Sequence, residues 1–222
     1  MNPGKIIGVL VAGLVVAGAV IAVALSLGGS TDLAAPDPAQ PIVVGVVAAP
    51  GEELTGPTEL PPLAMVVDEP VPDDIAGLTA SAQVARYRAD ARDDDAASLV
   101  RLGAAEQRAG EQQAAADSFR RAQAVEPDAL APAVGLAMAD AATGDAGMAR
   151  ATARLTALTR ANPGSQLAWF NRGWLATYRR DGPDVLSSWK RVVEIDPGSP
   201  IGRTATALLR GIADQAKTQS NG

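Results

Sequence analysis

The stretch that decides the fold is AASLVRLGAAEQRAGEQQAAADSFRRAQAVEPD, residues 96–128, together with a second that runs parallel to it, QLAWFNRGWLATYRRDGPDVLSSWKRVVEIDPG, residues 166–198. Each joins two apolar stripes at helical spacing through a short polar turn and closes on a proline. Pro127, Pro163 and Pro197 are separated by 36 and 34 residues. A period near 34 predicts paired helices that stack, because one hairpin cannot bury its own apolar face.

In the first stretch the ordered places are Leu99, Leu102, Gly103, Gly110, Ala115, Phe119, Ala122 and Pro127; in the second they are Trp169, Gly173, Val185, Trp189, Val192 and Pro197. The order resembles the tetratricopeptide repeat, with its Leu-Gly pair, turn glycine, Ala, large aromatic, Ala and closing Pro. Residues 130–165 resemble a degenerate copy. Leu136 and Ala137 stand at the Leu-Gly places, the turn around 143–146 reads two residues longer, and Ala151, Leu155, Leu158 and Pro163 restore the register. Gly173 predicts close approach of the two helices in its hairpin, with Trp169 and Trp189 filling the space around it.

The fold expected is therefore all-α: a short tetratricopeptide-like solenoid of about three repeats, 96–129, 130–165 and 166–199, within a helical domain over 78–217. A helix over about 79–92 covers one end. A capping helix over 201–217, with Pro200 in its first turn, covers the other, and 218–222 form a tail.

The N-terminal third reads differently. Ile6 to Leu27 is a run of 22 residues without a charge, which as a helix spans roughly 33 Å, the thickness of a bilayer core. Lys5 lies on its short side and the next basic residue is Arg86, so the positive-inside rule predicts a single-pass anchor with residues 1–5 cytoplasmic and the C-terminal domain outside. A cleaved signal peptide is the rival reading, with Ala22-Val23-Ala24 as its site, and it also exports the domain. Gly4 and Gly8 begin a small-residue spacing suited to helix pairing in lipid.

Residues 28–77 hold nine of the 16 prolines and predict a disordered acidic linker, averaging about 40 Å end to end and reaching on the order of 150 Å when stretched. Two apolar runs interrupt it, Ile42–Val47 and Leu63–Val67. Both are rich in strand-favouring residues, and each reads either as a strand donated to a partner or as an unstructured stretch guarded by prolines and acids.

The formal charge is −6, and the nine carboxylates between Gly28 and Asp74 account for all of it. From Ile75 onward 16 acids face 18 bases without a basic block, so nucleic acid is not an expected partner. The chain has no cysteine and no histidine, which removes thiolate and imidazole chemistry and the common zinc and haem ligands. No cofactor, metal or catalytic residue is predicted. Asp93-Asp94-Asp95 reads as a solvated helix start.

The resemblance implies that the first helix of each hairpin lines a concave groove for protein or peptide partners. Carried over residue by residue, the groove would comprise Arg101, Gln107 and Arg108 from the first repeat, Met138 from the second, and Phe170, Asn171, Trp174 and Tyr178 from the third. Arg101, Arg108 and Arg172 would be available for a ligand's carboxylates. The residue set by which some family members hold a C-terminal carboxylate is not reproduced. Whether the aromatics face an open groove or pack on the capping helix stays open at this point. The function expected is a membrane-anchored, extracytoplasmic interaction scaffold assisting assembly of an envelope complex. The alternative is a self-assembling structural component, a homo-oligomer joined through its membrane helix and apolar linker runs.

Overall fold

In a computed structural model the described residues are 13–16, 19–25, 42–46, 63–67 and 71–220, with side chains described for 63–67 and 71–214. The packed body is all-α. Its elements are α1 Asp73–Ala76, α2 Ala80–Asp90, α3 Ala96–Arg108, α4 Gln112–Val125, α5 Leu130–Ala141, α6 Asp145–Ala161, α7 Gln166–Tyr178, α8 Gly182–Ile195 and α9 Pro200–Ser220. Helices α3/α4, α5/α6 and α7/α8 are the three hairpins, and each packs on the next, with α2 at one end and α9 at the other.

Helix starts are fixed by local chemistry. The side chains of Thr79, Asp95, Ser165 and Asp181 accept hydrogen bonds from backbone N–H groups in the first turns of α2, α3, α7 and α8, satisfying donors that a helix start leaves unpaired. Pro127, Pro163 and Pro197 each fall two residues beyond the end of a second helix, where the missing N–H and fixed φ stop the helix from continuing.

The degenerate middle repeat departs from expectation in one respect. Its turn is three residues, 142–144, as are 109–111 and 179–181; the surplus sits in α6, 17 residues long against 14 in α4 and in α8. Counted back from the helix end, Leu155 then takes the place held by Phe119 and Trp189, and all three are fully buried. A helix absorbs the insertion without exposing backbone groups, and the register recovers at its C-terminal half, where the packing is.

Three contacts set the helix spacing. A β-carbon on Gly103 would meet Phe119 at 2.8 Å, one on Gly135 would meet the same ring at 2.5 Å, and one on Gly173 would meet Trp189 at 2.6 Å. Phe119 thus lies between the first helix of its own hairpin and that of the next. Trp189 behaves as the sequence predicts, but Trp169 is only partly buried and lies under the Arg172 guanidinium, 5.3 Å from the ring centroid.

Two features of the N-terminal third differ from the linear reading. The packed body begins before residue 78, since Leu63 and Met65 are buried in the main core and Ile75 joins Val84, Tyr87, Leu102 and Ala105 in a second cluster. Further upstream, β1 Gly13–Val16, β2 Ala19–Leu25 and β3 Ile42–Val46 pair antiparallel in the order β1-β2-β3. The backbone of 13–16 and 19–25 is extended here, and the rest of the expected membrane helix over 6–27 lies outside the described residues. Among the described residues no helix is long and apolar enough to cross a membrane.

Candidate peptide groove

The first helices of the hairpins, α3, α5 and α7, lie side by side and form one face of the stack. Along it runs the chain's own segment Leu63-Ala64-Met65-Val66-Val67, without helix and in alternating burial: Leu63 is 7% and Met65 2% exposed, while Ala64, Val66 and Val67 are partly covered. From Leu63 to Val66 this two-residue alternation is that of extended backbone lying on a surface. Leu63 and Met65 join the buried cluster that contains Val100, Val134, Met138, Phe170 and Trp174.

The backbone of the segment is held by side-chain amides. Met65 N–H donates to Gln107 Oε1 at 2.8 Å. Asn171 takes both groups of Val66, accepting its N–H at Oδ1 (2.8 Å) and donating from Nδ2 to its carbonyl (2.8 Å). Gln112 Nε2 donates to the Leu63 carbonyl at 3.1 Å. Successive N–H groups of an extended chain point to opposite sides, and here they reach α3 on one side and α7 on the other, so the segment crosses over α5 between them.

Gln107 and Asn171 have no exposed surface, and buried amides are costly unless bonded. Each is tied into the scaffold as well: Gln107 Nε2 donates to Gly135 O at 3.3 Å, and Asn171 Nδ2 donates to Leu167 O at 2.9 Å. These bonds fix the amide planes, so the acceptor oxygens are presented to whatever backbone lies in the groove. Because the contacts go to backbone atoms, they place no demand on side-chain identity.

The expected groove residues divide into three groups. Gln107 and Asn171 converge on the bound segment. Met138, Phe170 and Trp174 form apolar core in the same cluster: Phe170 stacks on Trp189 with centroids 5.8 Å apart, and Trp174 meets Tyr178 edge-on at 5.8 Å. Tyr178 is half-buried, and burial pushes its hydroxyl pKa above the ordinary tyrosine value.

The cations do not form a carboxylate-binding set. Arg172 is spent on Asp184 at 2.8 Å, which also takes Arg179 at 3.4 Å. Arg101 lines a separate cleft of about 380 Å³ beside Ile75, Tyr87 and Asp95. Arg108 is largely buried, its Nε has no hydrogen-bond partner, and burial lowers its pKa. Sequence reasoning missed Gln112 as a groove residue. The Leu63–Val67 run reads from the sequence either as a donated strand or as an unstructured stretch, and nothing in the linear order shows that it docks on its own chain.

No family model matches the chain, and no curated protein matches it. Among solved structures it is similar to MamA, residues 41 to the end, from Desulfovibrio magneticus RS-1, with 15% identity, covering 63% of this chain and 87% of that one at a TM-score of 0.39. The ArsTM double mutant of MamA RS-1 is similar at 14% identity, covering 64% and 88%, with a TM-score of 0.39. Overlap at that level carries no argument about function.

Proposed function

We propose that this protein is an interaction scaffold whose concave face holds extended peptide segments of partner proteins, carried on a membrane tether. The observation that carries the reading is the pair of buried amides, Gln107 and Asn171, bonded to the backbone of an extended segment seated on the groove floor. A groove that binds main chain through fixed amides and side chains through apolar contacts suits a peptide ligand.

Tethering is read from the sequence. The uncharged run Ile6–Leu27 is long enough to cross a bilayer as a helix. Lys5 on its short side orients the domain away from the cytoplasm. An envelope assembly role follows from that placement, since an anchored groove on an acidic linker keeps captured segments near the membrane.

The reading is tested by crosslinking and pull-down of the full-length protein from native membranes, comparing wild type with the Gln107→Ala, Asn171→Ala double variant. Envelope proteins recovered with wild type and lost with a folded double variant support the scaffold. An unchanged set of proteins removes the groove from the account, and recovery of copies of this chain alone supports the self-assembling alternative.

A further inference from the structure

The same four backbone groups that identify the groove also show what occupies it, and this suggests how access to it is regulated; the argument rests on the peptide-groove reading above. We propose that residues 63–67 are a resident competitor: they fill the groove in the resting protein, and a partner binds by displacing them. The displacing ligand is an extended segment of another polypeptide with apolar side chains two residues apart, matching Leu63 and Met65, and with unblocked backbone N–H groups between and after them.

Two observations support displacement over permanent occupancy. First, the clamp reaches only the Leu63 carbonyl, the Met65 N–H and both groups of Val66, all of which any extended segment offers equally. Second, prolines flank the segment at 61, 62, 70 and 72. They lack N–H groups and cannot extend the pairing, which confines the resident to a short footprint. Leu63 and Met65 are buried with Met138, Phe170 and Trp174 in one apolar cluster, so a segment that displaces them must bring two apolar side chains of its own to keep the groove floor out of water.

Residues 63–67 are joined to α1 through a short connection, so they compete at an effective concentration on the order of millimolar. With a resident segment that as a free peptide binds the empty groove at about 10 μM, that effective concentration weakens the apparent affinity of any incoming segment on the order of 100-fold. Entry then depends on a locally concentrated or tighter-binding partner segment.

The test is a titration of the full-length protein with a fluorescein-labelled, C-terminally amidated peptide of residues 60–69, LPPLAMVVDE. Wild type is compared with the Leu63→Ser, Met65→Ser double variant, in which the resident has lost both anchors. The variant should bind on the order of 100-fold more tightly, and adding Asn171→Ala should remove the gain. Equal affinity for both proteins overturns the competitor while leaving the groove reading intact. Absence of binding to the folded variant overturns the groove reading and this proposal with it. Should the variant fail to fold, hydrogen exchange of the wild type decides: Met65 and Val66 amides exchanging by an opening that leaves α7 amides protected support displacement, whereas exchange only through global unfolding overturns it.

Discussion

A β-carbon placed on Gly173 would stand 2.6 Å from both Cδ1 and Nε1 of Trp189, a separation that a rigid, fully buried indole cannot relieve by turning its end aside. The indole is held from the other side by Phe170, whose carbonyl accepts the Trp189 Nε1–H at 3.3 Å. The spacing of α7 and α8 is therefore set by the absence of one carbon atom. Gly173→Ala should cost about 1–3 kcal/mol through overpacking, measured by urea denaturation. Gly164→Ala, where nothing lies within 4 Å, should change stability by less than about 0.5 kcal/mol.

Phe170 and Trp174 are 1% and 3% exposed, so they are core before they are groove. The Phe170→Ala, Trp174→Ala double change should lower the melting temperature sharply, each truncation costing about 3–5 kcal/mol. A domain that melts as wild type with both rings removed would mean that they face an open groove.

Arg180 has φ 57°, the left-handed region, and occupies the middle of the 179–181 turn, where Gly110 (φ 81°) sits in the first hairpin. It is exposed. A side chain in that region costs about 1–2 kcal/mol, and glycine loses part of this in extra unfolded-state freedom. Arg180→Gly should raise stability by about 0.5–1 kcal/mol in thermal unfolding, whereas Gly110→Val should lower it.

Asp140 is held below the usual carboxylate pKa by its hydrogen bond to Arg150. The pair is bidentate, with Nε to Oδ2 at 3.0 Å and Nη2 to Oδ1 at 2.6 Å. A depressed folded-state pKa contributes stability that is present above the unfolded value, near 3.9, and is lost as pH falls through the folded one. Asp140→Asn should flatten that acid limb of the melting-temperature profile without altering helicity at pH 7.

Arg108 carries a desolvated charge, and no carboxylate among the described residues pairs with it. Arg108→Met keeps the stem and removes the charge, and should leave stability unchanged or raise it by about 1 kcal/mol in chemical denaturation.

These cases show why some of the molecule was legible in the sequence. Gly103, Gly173, Phe119 and Trp189 announce hairpins because a close helix pair needs a missing side chain opposite a large one, and both fall at fixed offsets within one repeat. The closing prolines give the period. The insertion in the middle repeat was placed in a turn because sequence shows only that two residues are extra; the helix took them up, since a longer α6 keeps its backbone bonded. Gln107 and Asn171 were named from the repeat pattern, but their ligand was not. The pairing of Val66 with Asn171 joins residues 105 positions apart, and no local period encodes a contact of that separation. Arg101, Arg108 and Arg172 look alike in sequence, yet Asp184 of α8 engages Arg172 while Arg108, on α3, is largely buried without a carboxylate partner among the described residues.

The central claim is that the groove reads the backbone of an extended segment. The most direct measurement compares two peptides of residues 60–69 on the Leu63→Ser, Met65→Ser protein, one unmodified and one N-methylated at the Met65 and Val66 nitrogens. Methylation removes the two donors to Gln107 and Asn171 and leaves every side chain in place. Each lost bond strands a buried acceptor at about 1–3 kcal/mol, so the methylated peptide should bind at least about tenfold more weakly; equal affinity would contradict the backbone clamp and leave a groove that reads side chains alone.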